Sequence, residues 1–154
     1  MTPPLQPYGY ARAMTQSDQR GTHPHGAVQP DTHILIVDND RSVSVSLGFM
    51  LAARGYEEVR SVRSAARAIA IAENFRPAIV FLDIELPDMD GLDLAHRLSR
   101  GARQHPIRLI ALTNVIEHPK REDARAAGFE RYLVKPLDQS ELDKVLRRTA
   151  HTAA

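Results

Sequence analysis

The sequence predicts an α/β domain. Five parallel strands in the order 2-1-3-4-5 are covered by helices on both faces, a doubly wound (βα)5 three-layer sandwich. Two observations predict it. From residue 33 onward, short apolar runs alternate with segments of helical period. The runs are also continuous instead of alternating apolar with polar, as strands buried on both faces require. Right-handed crossovers then leave 2-1-3-4-5 as the common small topology.

The first strand is the ILIV run at 34–37. Its helix spans about 40–54, with Val43, Leu47, Met50 and Leu51 on one face and Gly55 closing it. A weaker run at 57–62 supplies the second strand, and Ser64 is the N-cap of a helix reaching Phe75, where Pro77 blocks continuation. AIVFL at 78–82 is the third strand, and the helix at about 91–103 turns Leu94 and Leu98 inward. LIAL at 109–112 is the fourth strand. The helix near 119–127 has only alanines on its inner face and ends at Gly128. The fifth strand is 129–134. Asp138 caps the fifth helix, 139–149, which shows Leu142, Val145, Leu146 and Thr149 at helical spacing.

Composition narrows the function. The 154 residues make one domain's worth of chain, 43% hydrophobic and 25% charged. Twenty Lys and Arg balance 19 Asp and Glu, so the basic excess of a nucleic-acid binder is missing. No run nears the ~20 apolar residues of a membrane span, and no secretory signal opens the chain. Cysteine is absent, which excludes disulfide scaffolds, thiol catalysis and Cys-ligated metals. A cytoplasmic address is the default. Residues 1–31 hold five of the ten prolines and few large apolar residues, so they read as a flexible tail. Residues 32–150 form the domain, with 151–154 a short C-terminal tail. His23 and His25 have no further ligand near them in sequence and read as bystanders.

In open α/β sheets, ligands bind beyond the C-terminal strand ends, at the switch point. There the first strand ends in Asp38-Asn39-Asp40, the third in Asp83, the fourth in Thr113-Asn114 and the fifth in Lys135-Pro136. Carboxylates, a hydroxyl and an ammonium therefore converge on one rim. Clustered acids are costly unless a cation joins them, and Mg²⁺ takes one or two carboxylates plus phosphate oxygens and water. Asp83 sits centrally and is the natural nucleophile toward phosphorus. Mg²⁺ (or Mn²⁺), Lys135 and Thr113 would each neutralise part of a transferring phosphoryl group.

HILIVDND, FLDIELPDMDG, LIALTN and YLVKP, in that order and spacing, resemble a response-regulator receiver domain over residues 33 to about 150. The resemblance implies a flavodoxin-like fold with Asp83 as phosphoacceptor. It implies that Asp38 and Asn39 beside it help hold Mg²⁺, with Glu85 offering its backbone carbonyl. Thr113 and Lys135 would contact the phosphoryl group, Tyr132 would be the aromatic switch that follows Thr113, and Pro136 would follow a cis peptide. The implied donor is a sensor histidine kinase or a histidine phosphotransfer protein. The signal would leave through the face of the fourth predicted helix, fifth strand and fifth predicted helix, or by phosphorelay. The receiver of that signal is an unknown downstream protein. The chain would be a single-domain regulator, not an enzyme, without direct nucleic-acid or membrane contact, as a monomer or a phosphorylation-linked homodimer.

Two residues depart from the family pattern. Asn39 stands where a second acid is usual, and an amide oxygen brings no charge to the metal. A unit charge pair at ~4 Å is worth roughly 4 kcal/mol at an effective dielectric of about 20, before desolvation. Asp40 reads first as the N-cap of the first helix. Asn114 stands where a small residue is common, and its amide would narrow access to Asp83 or bond the phosphoryl group. Asn39 also motivates an alternative, a receiver-like binding module that works without phosphorylation. A haloacid-dehalogenase-type phosphatase fits Asp38-Asn39-Asp40 but lacks its lysine in the required order, and no glycine-rich nucleotide loop follows the first strand. Asp88 and Asp90 read as turn-shaping or capping residues. Arg97, Arg100 and Arg103 recur every three residues and read first as a solvated helix face, with partner docking as the sharper option.

Overall fold

In the computed structural model, residues 30–102, 105–114 and 125–152 are described, the side chains of 148–152 excepted. Within them run β1 (Ile34–Val37), α1 (Arg41–Ala53), β2 (Val59–Val62), α2 (Ala65–Phe75), β3 (Ile79–Asp83), α3 (Gly91–Gly101), β4 (Arg108–Thr113), β5 (Phe129–Val134) and α4 (Gln139–Thr152). The five strands are all parallel and lie in the order β2-β1-β3-β4-β5, as expected. Of the fourth predicted helix, only residues 125–127 are described, and 125 and 126 are helical. The predicted 1–31 tail lies outside the described residues except for Pro30 and Asp31. The last helix runs on to Thr152, into the residues expected as a C-terminal tail.

Alternate residues of each inner strand feed opposite cores. Leu35, Val37, Val80 and Leu82 pack with Ala68 and Phe75 of α2 and with Leu94 and Leu98 of α3. Ile34, Ile36, Ile79 and Phe81 pack with Leu47 and Leu51 of α1 and with Leu142 and Val145 of α4. This division makes the three layers, and explains why the inner-strand runs show no polar face. All four residues of β1 are fully buried.

The helix starts are set by short polar side chains. Asp40 accepts from the Ser42 amide at 2.9 Å and Ser64 from the Arg67 amide at 3.2 Å. Asp90 accepts from the Leu92 amide at 2.8 Å. Gly55 follows α1 with φ 93°, a conformation that costs glycine little. In β5 an extra residue, Glu130, interrupts the register between Leu109↔Phe129 and Ile110↔Arg131. Its carboxylate takes both the Nε and Nη2 of Arg108, at 2.8 and 2.7 Å.

Candidate functional site

The strand register assembles the site. Val37 pairs with Leu82, so the next residue of each strand, Asp38 and Asp83, lie side by side at the switch point. Asp83 pairs with Leu112 and Thr113 with Val134, which brings Thr113 and Lys135 to the same rim. The Lys135 amide donates to the Thr113 carbonyl at 2.7 Å and locks the ends of β4 and β5 together. The Lys135–Pro136 peptide is cis.

Asp38 and Thr113 are fully buried, and Asp83 and the Lys135 side chain are nearly so. The ammonium lies 2.6 Å from Asp38 Oδ2 and 3.3 Å from Asp83 Oδ2. The other oxygen of each acid is held by backbone two residues on. Asp40 N–H donates to Asp38 Oδ1 at 2.8 Å, and Glu85 N–H to Asp83 Oδ1 at 2.9 Å. Burial raises the Asp83 pKa, and the neighbouring Asp38 charge raises it further against the pull of the Glu85 amide and Lys135. Burial alone would lower the Lys135 pKa, but bonding to Asp38 and the charges of both acids outweigh it and raise it.

Two carboxylates sharing one ammonium form a site that gains from a further cation. Among the described residues, no three His, Asp or Glu side chains cluster as an all-protein metal cage. Mg²⁺ does not need one, since it usually takes one or two carboxylates and fills its shell with water and phosphate oxygens. Asp38 and Asp83 fit that demand.

The remaining expected residues fall around this centre. Asn39 and Asn114 are exposed on the rim. Asp40 spends its carboxylate on Ser42, taking both the amide and the hydroxyl, the latter at 2.7 Å, so it caps α1 as expected. Tyr132 is half-buried on β5 and packs on the core shared with α2 and α3. Glu85 pairs in an isolated bridge with Asp90, which folds the loop after Asp83 back on itself. Gly91 closes that loop. A Cβ there would stand 2.4 Å from Ile84 Cα and 2.9 Å from the Asp83 carbonyl oxygen, so only glycine allows the approach.

Two residues near the site escaped the sequence reading. Asp88 does more than shape its own turn. Its two carboxylate oxygens accept from the Ala65 and Ala66 amides at 3.0 and 3.1 Å, so it ties the loop after Asp83 to the start of α2. Arg63 Nη2 reaches the Asn39 carbonyl at 3.4 Å. No local pattern signals either contact, because each partner lies more than 20 residues away in sequence.

Comparison with known proteins adds the family. The model of the response regulator receiver domain matches residues 34–147. The chain belongs to the response-regulator receiver family. It is 34% identical over 109 residues to the transcriptional regulatory protein PdtaR of Mycobacterium tuberculosis, covering 71% of this chain and 52% of PdtaR. It thus spans about half the length of that relative. An uncharacterised 14.6 kDa protein of Leptolyngbya boryana is 32% identical over 115 residues, covering 75% of this chain and 87% of that protein. Among solved structures, chemotaxis protein CheY4 of Vibrio cholerae superposes with a TM-score of 0.70 at 26% identity, covering 76% of this chain and 97% of CheY4. Receiver domains are signalling domains of two-component systems, typically phosphorylated with Mg²⁺ at the site, and they engage histidine kinases or phosphotransfer proteins. Among the described residues, no helix is long and apolar enough to cross a membrane.

Proposed function

We propose that this receiver domain accepts a phosphoryl group on Asp83 from a phosphohistidine. The observation that carries the reading is the buried triangle of Asp83, Asp38 and Lys135 with Thr113 at the neighbouring strand end. A carboxylate oxygen of Asp83 forms the new P–O bond as the P–N bond to the donor imidazole breaks, and the imidazole leaves with the bonding pair and takes up a proton. The Lys135 ammonium neutralises charge on the transferring group, and the Thr113 hydroxyl donates to one of its oxygens. The amide that fixes Asp83 Oδ1 leaves Oδ2, on the Lys135 side, as the oxygen to react. Mg²⁺ held by Asp38, Asp83, the Glu85 carbonyl and the Asn39 amide would supply further charge neutralisation.

Thr113 and Tyr132 form the readout in this proposal. Thr113 turns toward the acyl phosphate, and Tyr132, two residues from Val134 on the edge strand, follows it and changes the face of β5 and α4 seen by a downstream protein. Asn114 borders the entrance to Asp83. We place the protein in the cytoplasm with a histidine kinase or phosphotransfer protein as donor.

Intact-mass spectrometry after incubation with a small acyl-phosphate donor and Mg²⁺ tests the assignment. The expected result is one phosphoryl adduct that requires Mg²⁺ and is lost in Asp83→Asn. An adduct that survives Asp83→Asn would overturn it. If neither the small donor nor beryllofluoride produces a Mg²⁺-dependent change, the phosphorylation-independent binding module becomes the better reading, with Asn39 as its cause.

A further inference from the structure

A cavity of about 500 Å³ opens between the C-terminal halves of α2 and α3, at the end of the sheet opposite Asp83. That volume falls in the range of small-ligand sites. Its floor is apolar, made by Ile69 and Ala72 of α2, Leu98 of α3 and Ile107 just before β4. Its rim is basic. Arg76 closes α2, Arg97 and Arg100 project from α3, and His105 follows, against a single acid, Glu73.

Three guanidiniums against one carboxylate leave the rim with an excess of positive charge. The ion pairs of the described residues join Arg54 to Asp143, Arg108 to Glu130, Lys135 to Asp38 and Asp83, and Lys144 to Glu141. None involves Arg76, Arg97 or Arg100. Arg76 Nη1 instead lies 3.3 Å from His105 Nε2, so its neighbour is an imidazole ring, not a carboxylate. Arg97 and Arg100 stand three residues apart on one helix, where like charges repel. Arg76 also holds a left-handed backbone at φ 50°, which a non-glycine residue adopts at a cost. The sequence had shown only a stripe on a helix. Folding sets two of its members against Arg76 over an apolar trough.

From this charge complementarity we propose that the groove binds a small amphiphilic organic anion, its carboxylate, phosphate or sulfonate on the guanidinium rim and its apolar body on the floor. Guanidinium forks suit such oxyanions. Strand β4 alone separates the groove from Thr113 by about 20 Å at ~3.3 Å per residue. This site is therefore spatially separate from the proposed phosphorylation site.

The probe is 1-anilinonaphthalene-8-sulfonate, with N-phenyl-1-naphthylamine as the same ring body without its charge. Both are titrated into the full chain and followed by fluorescence and by backbone amide shifts. The expected result is saturable one-to-one binding of the sulfonate, with shifts at Ile69, Ala72, Leu98 and Ile107. The uncharged analogue should bind at least about tenfold more weakly. Arg97→Glu with Arg100→Glu, both exposed, should weaken the sulfonate at least about tenfold with an unchanged circular dichroism spectrum, and Arg97→Gln with Arg100→Gln should fall between. Equal binding of the two probes, indifference to charge reversal, or shifts centred elsewhere would each overturn the proposal.

Discussion

Lys135 stands closer to Asp38, at 2.6 Å, than to Asp83, at 3.3 Å. The ammonium thus leans on the acid that is not proposed to carry the phosphoryl group, and leaves the reacting oxygen more loosely held. Both acids and the lysine are buried, so removing the cation leaves two carboxylates facing each other in a poorly solvated site. Lys135→Met should destabilise the fold by about 3 kcal/mol in the presence of a chelator. Saturating Mg²⁺ should narrow that gap, because loss of the competing ammonium lets the two acids bind the cation more tightly in the variant than in the wild type, and tighter binding to the folded state adds more stability. Urea titrations with and without Mg²⁺ check both. No stabilisation of either protein by Mg²⁺ would rule out the two acids as a shared metal site.

Gly91 and Gly101 begin and end the same helix and should respond oppositely to alanine. At Gly91 the added methyl meets the backbone of Ile84 and Asp83, which cannot rotate away. Gly91→Ala should cost about 1–3 kcal/mol and lower the yield of the Asp83 adduct. At Gly101 a Cβ meets nothing within 4 Å. Gly101→Ala should be neutral or stabilising by up to about 1 kcal/mol. Thermal melts of the two variants decide it, and equal losses would show that helix ends, not the approach to Ile84, matter.

The three inner strands were legible because burial on both faces writes itself as apolar runs, as in Ile34–Val37. The site was legible because its four main residues sit at strand ends, where the topology fixes their neighbours: Asp38, Asp83, Thr113 and Lys135. What escaped depends on contacts between distant segments. Asp88 looks like any turn aspartate until α2 is docked against it. The Arg108–Glu130 fork needs the bulge that displaces Glu130, and no residue type announces that bulge. The groove under Arg97 and Arg100 exists only once α2 and α3 lie side by side.

Asp88 makes stability depend on pH in a direction that can be worked out. The Ala65 and Ala66 amides hold its carboxyl below the usual carboxylate pKa. Such a group contributes stability that is present above its unfolded pKa of about 3.9 and is lost as pH falls through the lower folded value. Asp88→Asn should therefore lower the melting temperature near neutral pH, with the difference shrinking below pH ~4. Faster amide exchange at Ala65 and Ala66 should accompany it. A pH-independent difference would mean that the charge is irrelevant and only the hydrogen bonds count.

Asn39→Asp should act with opposite sign in the two states of the site. A second acid beside Asp38 adds charge to a rim already holding Asp38 and Asp83, so without metal the variant should be less stable than the wild type. With Mg²⁺ the same charge becomes a ligand. If even a third of the roughly 4 kcal/mol available to a close pair at an effective dielectric of about 20 survives desolvation, Mg²⁺ should bind about tenfold more tightly. Arg63 tempers both effects, since its guanidinium already reaches the Asn39 carbonyl and would shield a new carboxylate in part. Arg63→Ala combined with Asn39→Asp should then enlarge the loss without metal. Calorimetric Mg²⁺ titration, paired with melts in chelator, separates the arms. An unchanged Mg²⁺ affinity in Asn39→Asp would show that residue 39 does not face the metal, and would leave Asp38 and Asp83 as the side-chain donors among the described residues.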